Sequence, residues 1–285
     1  MVETTDSVVR AVTNDGAFRT IVACTTETVR GAVAAQGATG QTARHFGDLL
    51  TGAMLLRETM APGLRVQCIL RSTDERSRLV ADSHPSGATR GLVQALEQTA
   101  EFEVGRGAVL QMMRTLQDGR VSQGLVEVPD HGTISRALMT YMQESEQVVT
   151  MLAVGTLLDD DRVISAGGYL VQLLPEAPRG ALMVMTERLT EFETIAPQLE
   201  RPDFSPEWLL SELLYAMPFS QLERSAVRFE CWCDELRVVA ALASLDRSEL
   251  AELIADGETL QISCEYCGRQ FAIPPARLQG LLQGS

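Results

Sequence analysis

Two closely spaced cysteine pairs near the C-terminus are the residues with the clearest chemistry in this chain. Cys231 and Cys233 are separated by one residue, and Cys264 and Cys267, separated by two, follow after a spacer of thirty residues. Four thiolates in two such pairs can surround one Zn²⁺ in a tetrahedral site. The same thiols could instead oxidise pairwise into two short-range disulfides. The spacing therefore predicts either an inert Cys₄ zinc staple or a site that changes with redox conditions.

The second cysteine pair is typical of a zinc knuckle. Gly268 follows its last cysteine, where a positive φ lets backbone amides turn towards the sulfurs. The flanking residues 260–263 and 270–273 predict a small β-hairpin that carries Cys264 and Cys267 at its tip.

The residues around the knuckle predict a small domain that depends on its metal. Asp234 is expected to cap a helix that runs through Leu242, and Asp246 with Glu249 forms a capping-box pattern for the next helix. A hydrophobic core of about 55 residues rarely supplies more than ~3–5 kcal/mol. Structural zinc sites contribute apparent binding energies of about 10–16 kcal/mol in small peptides. We therefore expect this domain to unfold when zinc leaves.

The charge balance and the basic residues exclude several functions. The net charge of −14 argues against nucleic acid as a partner, since phosphates require a basic surface. All 24 basic residues are arginine, and the chain contains no lysine. P-loop nucleotide binding and Schiff-base catalysis both need a lysine, so ATP-driven action through a Walker motif is excluded.

The chain also has the pattern of a cytoplasmic protein. Its first residues, Met1 to Asp6, are acidic and lack the basic and apolar order of a signal peptide. No apolar run approaches the eighteen residues that a membrane span requires. Six cysteines in 285 residues are too few for a disulfide scaffold. These features predict a soluble protein of a reducing compartment without a membrane partner.

The first 178 residues predict an α+β core, because strand-like and helix-like patterns mix there without regular βαβ alternation. The turn signal Asn14-Asp15-Gly16 predicts a β-hairpin. Asp130 is expected to cap a helix over 133–145. Cys24 and Cys68 fall on predicted strands and are expected to be core residues. The other predicted elements are helices over 27–36 and 42–60 and strands over 64–70, 78–82, 104–128, 148–158 and 163–174.

Residues 179–228 predict a helical linker with a large apolar face. Ser205 followed by Pro206 is a strong helix start, with the serine at the N-cap and the proline at the first helical position. Met183 and Met185 are expected to be core residues. The helices could pack permanently on the core, or they could dock conditionally and expose a binding surface when released.

The cysteine pattern resembles that of the redox-regulated chaperones of the 33 kDa heat-shock family, and the resemblance covers nearly the whole chain. Cys-x-Cys and Cys-x-x-Cys at this distance carry most of it. Further segments resemble the family in the same order along the chain: Arg78-Leu79-Val80-Ala81-Asp82, Arg90-Gly91, Gln123-Gly124, Tyr141, Ser145-Glu146-Gln147 and Ala166-Gly167-Gly168-Tyr169-Leu170-Val171-Gln172-Leu173-Leu174-Pro175. The chain departs from the pattern around Gln111 to Arg114 and at the bulky Trp232.

The resemblance implies three parts: a core over 1–178, a metastable helical linker over 179–228 and a Cys₄ zinc redox-sensor domain over 229–285. It implies an ATP-independent holdase of a stress response, which is a non-enzymatic chaperone that binds unfolding client proteins and prevents their aggregation. Cys231, Cys233, Cys264 and Cys267 would bind one zinc ion in the idle, reduced state. Oxidation would pair Cys231 with Cys233 and Cys264 with Cys267, release the metal and give an active homodimer.

Two other functions compete with this holdase. The Cys264-x-x-Cys267 motif could belong to a thiol–disulfide oxidoreductase, although a knuckle lacks the helix N-terminus that activates a thiolate. The chain could also be a static zinc-stapled interaction module that is indifferent to oxidants. A catalyst would turn over disulfides, whereas a holdase would bind clients stoichiometrically.

Overall fold

The computed structural model describes residues 6–61, 63–74, 76–94, 101–116, 118–130, 132–175, 177 and 179–283. The chain divides into two units, Met1–Glu230 and Cys231–Ser285. Both units combine strands with helices, so the predicted α+β class is confirmed. Residues 1–5, which carry most of the acidic start, and the predicted boundary residue 178 lie outside the described residues.

The described residues of the first unit form two sheets. The five-stranded sheet has the order β10-β1-β2-β9-β8, and all its neighbours are antiparallel; its strands are β1 (Ser7–Thr13), β2 (Phe18–Cys24), β8 (Thr150–Asp159), β9 (Arg162–Leu173) and β10 (Phe219–Ala226). The second sheet has the order β11-β5-β4-β3-β6-β7, with β11 parallel to β5; its strands are β3 (Arg65–Arg71), β4 (Arg78–Ser83), β5 (Ala88–Gln94), β6 (Val109–Thr115), β7 (Val121–Glu127) and β11 (Arg228–Phe229).

The predicted hairpin at the start of the chain is confirmed as β1 and β2. Gly16 has φ +69° in the turn, a value that glycine adopts without steric cost. The backbone amide of Ala17 donates to Asp15 Oδ1 at 3.0 Å, which fixes the turn further. The hairpin therefore forms from local turn chemistry, and its register places Val8, Val9 and Ala11 in the interior.

Three helices complete the main core: α1 (Thr26–Gln36), α2 (Gly40–Glu58) and α3 (Ile134–Glu144). Helix α2 packs against strands of both sheets, and for this reason its second half is buried on nearly all sides. The prediction that Asp130 caps α3 is wrong. Thr133 occupies the N-cap, and its hydroxyl accepts a hydrogen bond from the amide of Arg136. The helix begins at Ile134, which is buried, three residues later than a cap at Asp130 would require.

Residues 179–228 form a second apolar core on the outer face of the five-stranded sheet. They contain α4 (Arg179–Thr190), α5 (Ala196–Leu199) and α6 (Pro206–Leu213). Buried side chains from this segment pack against buried side chains of β1, β2, β8 and β9. The segment contributes Met185, Leu189, Phe192, Ile195, Leu199, Phe204, Leu209, Leu210, Leu213 and Leu214.

The prediction that the linker is helical is wrong for its last fifth. Residues 219–226 form β10, which pairs with β1 along the whole of that strand. Pro218 cannot continue a helix, and the small and polar residues after it carry no apolar helical stripe. The strand forms because β1 offers an edge more than 200 residues away in sequence, which a local pattern cannot reveal.

The methionines of α4 divide between surface and core. Met185 is 1% exposed, as predicted, whereas Met183 is 75% exposed, so the prediction that it belongs to the core is wrong. Residues two apart on a helix point to different sides, and α4 has only one side against the sheet.

Ser205 caps α6 as predicted, and this cap has a testable contribution. Its hydroxyl accepts a hydrogen bond from the Trp208 amide at 3.2 Å, and Pro206 occupies the first turn. Ser205→Ala is expected to destabilise the docked segment by about 1 kcal/mol, whereas Ser205→Gly should cost only a few tenths. Hydrogen exchange of the α6 amides measures the difference. Equal exchange in the two variants would contradict a capping role.

The second unit is small and has little apolar core. It contains α7 (Glu235–Leu242), α8 (Arg247–Ala255), β12 (Leu260–Ser263), β13 (Gln270–Ile273) and α9 (Pro275–Gln283). The predicted cap at Asp234 and the capping box of Asp246 with Glu249 are confirmed. Among its described side chains, the buried apolar ones are Leu250, Ile273 and Leu278. Three such side chains are too few to stabilise about 55 residues by burial alone.

Candidate metal centre

The two cysteine pairs lie on different structures of the second unit. Cys231 and Cys233 precede α7, whose N-cap Asp234 accepts a hydrogen bond from the Arg237 amide at 2.8 Å. Cys264 and Cys267 lie in the turn between β12 and β13, as predicted. The first pair is therefore positioned by the start of α7 and the second pair by the hairpin, independently of each other.

The turn that carries the second pair is tightly hydrogen-bonded. The amide of Cys264 donates to the Arg269 carbonyl at 2.9 Å, and the amide of Gly268 donates to the Cys264 carbonyl at 2.7 Å. Gly268 has the predicted positive φ, +72°. Arg269 also reaches the first pair, because its Nη1 donates to the Cys233 carbonyl at 3.3 Å. Arg269 thus contacts the backbone of both cysteine pairs, through its own carbonyl at Cys264 and through its guanidinium at Cys233.

The four sulfurs converge on one point. All four Sγ atoms lie within 4.8 Å of one another, and all four residues are half-buried. The Sγ atoms of Cys231 and Cys264 are 3.7 Å apart, and those of Cys233 and Cys267 are 3.5 Å apart. Zn–S bonds of about 2.3 Å in a tetrahedron place two sulfurs about 3.8 Å apart, whereas a disulfide requires about 2.05 Å. The spacing therefore fits four thiolate ligands around one zinc ion.

The environment of the sulfurs also favours a cation. Burial raises the pKa of the Cys233 thiol, and hydrogen bonding with the other three cysteines raises it further. The pKa of Cys267 is raised too, first by burial. Thiolates crowded together in this way need a positive charge to be stable, and a coordinating metal ion supplies it. Over the part of the chain that the structure describes, no other cluster of histidine, cysteine or acidic residues has converging ligand atoms.

The remaining two cysteines belong to the first unit and are buried, as predicted. Cys68 on β3 is fully buried in the main core, and Cys24 at the end of β2 is 5% exposed in the second apolar core. Burial raises the pKa of both thiols, and at Cys24 the nearby Asp6 raises it further. Both cysteines are therefore core residues in this structure, away from any converging thiols.

A charged cluster joins β1 to β10, and no motif in the sequence indicates it. Arg10 on β1 contacts Glu58 at the end of α2 through Nη1. Its Nη2 lies 2.6 Å from Glu223 Oε2 and 3.0 Å from Ser225 Oγ, both on β10. Glu58 is buried, so the carboxylate that binds Arg10 is shielded from solvent. Sequence separations of 48 and 213 residues hide these contacts from any local motif.

The fold and the converging thiols define a two-unit α+β protein with a C-terminal Cys₄ centre. The family model described as Hsp33 protein matches residues 6–274. The chain belongs to the Hsp33 protein family.

Curated relatives and a solved structure agree with this assignment. The chain is 28% identical to the 33 kDa chaperonin of Syntrophotalea carbinolica, over 97% of this chain and 99% of that protein. It is 29% identical to the 33 kDa chaperonin of Geobacter sulfurreducens, over 97% and 95%. The crystal structure of the Hsp33 homologue from Thermotoga maritima matches with a TM-score of 0.82 at 22% identity and covers 98% of each chain, which shows a shared fold. Among the described helices of this chain, none has the length and apolarity to span a membrane.

Proposed function

We propose that this chain is a redox-regulated, ATP-independent holdase. In the reduced state, Cys231, Cys233, Cys264 and Cys267 hold one zinc ion and the protein is idle. In the oxidised state, the zinc is released and the chain forms a homodimer that binds unfolding client proteins. The observation that carries the proposal is the convergence of four thiols at zinc-ligand spacing in a unit whose described side chains include three buried apolar ones. The names of the relatives, 33 kDa chaperonin, support the chaperone role.

The thiols can control the fold of the second unit because little else stabilises it. Cys231 and Cys233 precede α7, and Cys264 and Cys267 lie between β12 and β13, so a shared metal connects a helix to a hairpin. The second unit buries Leu250, Ile273 and Leu278 as its described apolar core. When bound, zinc supplies a cross-link whose apparent free energy, about 10–16 kcal/mol in small peptides, exceeds what such a core gives.

Oxidation is proposed to replace the metal cross-link with two short disulfides. Each pair of zinc-bound thiolates, Cys231 with Cys233 and Cys264 with Cys267, gives two electrons to one hydrogen peroxide molecule, and two protons come from the solvent. The peroxide is reduced to two molecules of water, and one S–S bond forms in each pair. A disulfide within a pair connects residues two or three positions apart. It therefore cannot replace the long-range connection between α7 and the hairpin, and the unit is expected to unfold.

Unfolding of the second unit is proposed to release residues 179–228. This segment covers the outer face of the five-stranded sheet and leads along the chain directly into the second unit. We propose that it is a metastable linker, whose ten buried side chains in the second apolar core would become available to clients. Two apolar side chains of the segment itself, Met183 and Val184 on α4, are already exposed, at 75% and 52%.

The oxidoreductase alternative has less support from the site. A catalytic Cys-x-x-Cys thiol has a lowered pKa at a helix N-terminus. Cys267 instead has a raised pKa and lies in a turn between two strands. The static module makes a different prediction, namely that oxidation changes nothing outside the metal centre.

The test is suppression of aggregation of a thermally unfolding client, followed by light scattering. We compare the reduced, zinc-loaded chain with the chain treated with peroxide, while a chromogenic chelator reports released zinc. We expect one zinc per chain to be released and aggregation to be suppressed in a stoichiometric manner only after oxidation. Equal suppression by both forms supports the static module, and catalytic turnover of a disulfide substrate supports the oxidoreductase.

The two buried cysteines provide an independent prediction for the release of residues 179–228. Cys24 pairs with Gly167, and a Cβ added to that glycine would lie 3.0 Å from the Phe204 ring of the segment. Cys68 lies in the main core, to which the segment contributes only Val227 among its described buried side chains. After oxidation, alkylation is expected to modify Cys24 at least about tenfold faster than Cys68, because only Cys24 is uncovered by local opening. Mass spectrometry of peptic fragments measures both rates.

Each result of the alkylation experiment has a clear meaning. Protection of both cysteines after oxidation would show that the segment stays docked. Equal labelling of both would show that the first unit unfolds as a whole. The reduced protein is the control, and in it both thiols should remain unmodified.

A further inference from the structure

The strand β10 is attached to the first unit in an unusual way. It is the outermost strand of its sheet and pairs with β1 from Ser7–Ala226 to Thr13–Phe219. Backbone hydrogen bonds continue beyond both ends of the pairing, from the Val227 amide to the Asp6 carbonyl at 3.2 Å and from the Asn14 amide to the Pro218 carbonyl at 2.8 Å. The main-chain pairing therefore runs the whole length of β1, with one irregularity between Arg10 and Ala11, where Leu222 of β10 has no partner in the register.

The side chains of β10 contribute little to this attachment. Six of its eight residues are exposed, and Phe219 and Ser225 are half-buried. Leu222, an apolar side chain in the middle of the strand, is 61% exposed. Phe219 at one end packs against the second apolar core, and the described side-chain hydrogen bonds and ion pairs to β1 are polar contacts such as Arg10 with Glu223. A strand bound mainly through its backbone can be exchanged for another extended chain of different sequence.

Without β10, the strand β1 would be an open edge beside an apolar face. Val9 and Ala11 of β1 belong to the apolar core that residues 179–228 cover, together with Phe18 and Val22 of β2. Release of the segment would leave the backbone N–H and C=O groups of one side of β1 unpaired, next to this face. Such an edge is a template for pairing with another chain.

We propose, on the basis of the holdase function proposed above, that the edge of β1 is a client-binding site. An extended segment of an unfolded client would pair with β1 antiparallel, in the place that β10 occupies in this structure. The β1 backbone would bind the client backbone, which any unfolded sequence offers. The uncovered apolar face would favour segments with an apolar side chain at every second position.

The occupant is expected to be a client rather than a second copy of β10. The sequence of β10, Phe-Ser-Gln-Leu-Glu-Arg-Ser-Ala, places polar side chains at five of its eight positions. A client strand with alternating apolar residues would bury more apolar surface on the same face, while its backbone makes the same bonds. Charged Glu223 and Arg224 at the centre of β10 are instead exposed and bury little apolar surface.

The test uses a fluorescein-labelled octapeptide of alternating valine and threonine and the full-length oxidised chain. Two controls carry the same side chains but are N-methylated, one on the valine amides and the other on the threonine amides. Alternate residues of a strand direct their N–H groups to opposite edges. In an antiparallel pairing with β1, a peptide whose valines face the apolar side can turn only one of its two edges towards β1. Fluorescence anisotropy should therefore show that one methylated peptide loses at least about tenfold in affinity and the other stays within about twofold.

Hydrogen exchange of the β1 amides gives a second, independent measurement. Oxidation is expected to accelerate exchange at Val8, Arg10 and Val12, and the unmethylated peptide should restore their protection. Equal affinity of all three peptides would overturn the proposal, as would equal loss with both methylated forms. If protection of the β1 amides rises with protein concentration in the absence of peptide, the edge binds a second copy of the chain, and the proposal is also overturned.

The outcomes separate this inference from the function on which it rests. If the oxidised chain suppresses aggregation but binds the three peptides equally, the holdase function stands and the β1 edge is not its client site. If the oxidised chain neither suppresses aggregation nor binds peptide, the proposed function itself fails.

Discussion

Replacing Cys264 by serine is expected to unfold residues 231–285 in reducing buffer, where the wild-type unit is folded. Serine removes one of four thiolates that lie within 4.8 Å of one another, and a hydroxyl is a poor substitute ligand for zinc. The unit then depends on Leu250, Ile273 and Leu278, which cannot offset the lost metal binding of about 10–16 kcal/mol. Hydrogen exchange should show loss of protection in α7, β12 and β13, and the zinc content should fall from one per chain towards zero.

The neighbouring Ser263→Ala variant is the matched control. Ser263 precedes Cys264 on β12, is exposed and hydrogen-bonds only to the exposed Gln270 among its described contacts. It should keep both the zinc and the protection. In both variants α1 and α2 should exchange as slowly as in the wild type, since they belong to the first unit. A Cys264→Ser chain that keeps one zinc and normal protection would contradict the proposed metal dependence.

The predictions that succeeded concern chemistry that is local in sequence. The turn Asn14-Asp15-Gly16 needs a positive φ, which glycine provides, and the hairpin around it forms as expected. The capping box of Asp246 with Glu249 spans three residues, and it too is confirmed. The thiol cluster is a partial exception, because its two pairs are thirty residues apart. It was predictable because each pair is local and zinc needs four ligands.

The predictions that failed concern contacts between residues far apart in sequence. The predicted helical linker runs through residue 228, but residues 219–226 form β10 because the edge of β1 pairs with them. Nothing in the sequence around Glu223 shows that Arg10 lies 2.6 Å away. The prediction for Met183 failed because only the side of α4 that carries Met185 packs in the second apolar core. Tertiary pairing, which depends on the whole chain, decides these positions.

Leu213→Ala is expected to make the reduced, zinc-bound protein active as a holdase. Leu213 is fully buried in α6, which packs against β1 and β2 in the second apolar core. Truncation of a buried leucine costs about 2–5 kcal/mol, and here that cost falls on the docking of residues 179–228. Since each 1.4 kcal/mol is a factor of ten, the undocked fraction should rise at least about thirtyfold. The light-scattering assay should then show suppression of client aggregation without oxidant.

The control for this prediction lies in the same segment, at Leu222 on β10. Leu222→Ala removes the same side-chain atoms, but this leucine is 61% exposed, so the change should cost little and leave the reduced protein inactive. Both variants should retain one zinc per chain, because neither changes the second unit. If Leu213→Ala weakens the docked segment in hydrogen exchange but gives no suppression, then uncovering this face is not the activating step. Activation would in that case require the unfolded second unit itself, which the Cys264→Ser variant supplies independently.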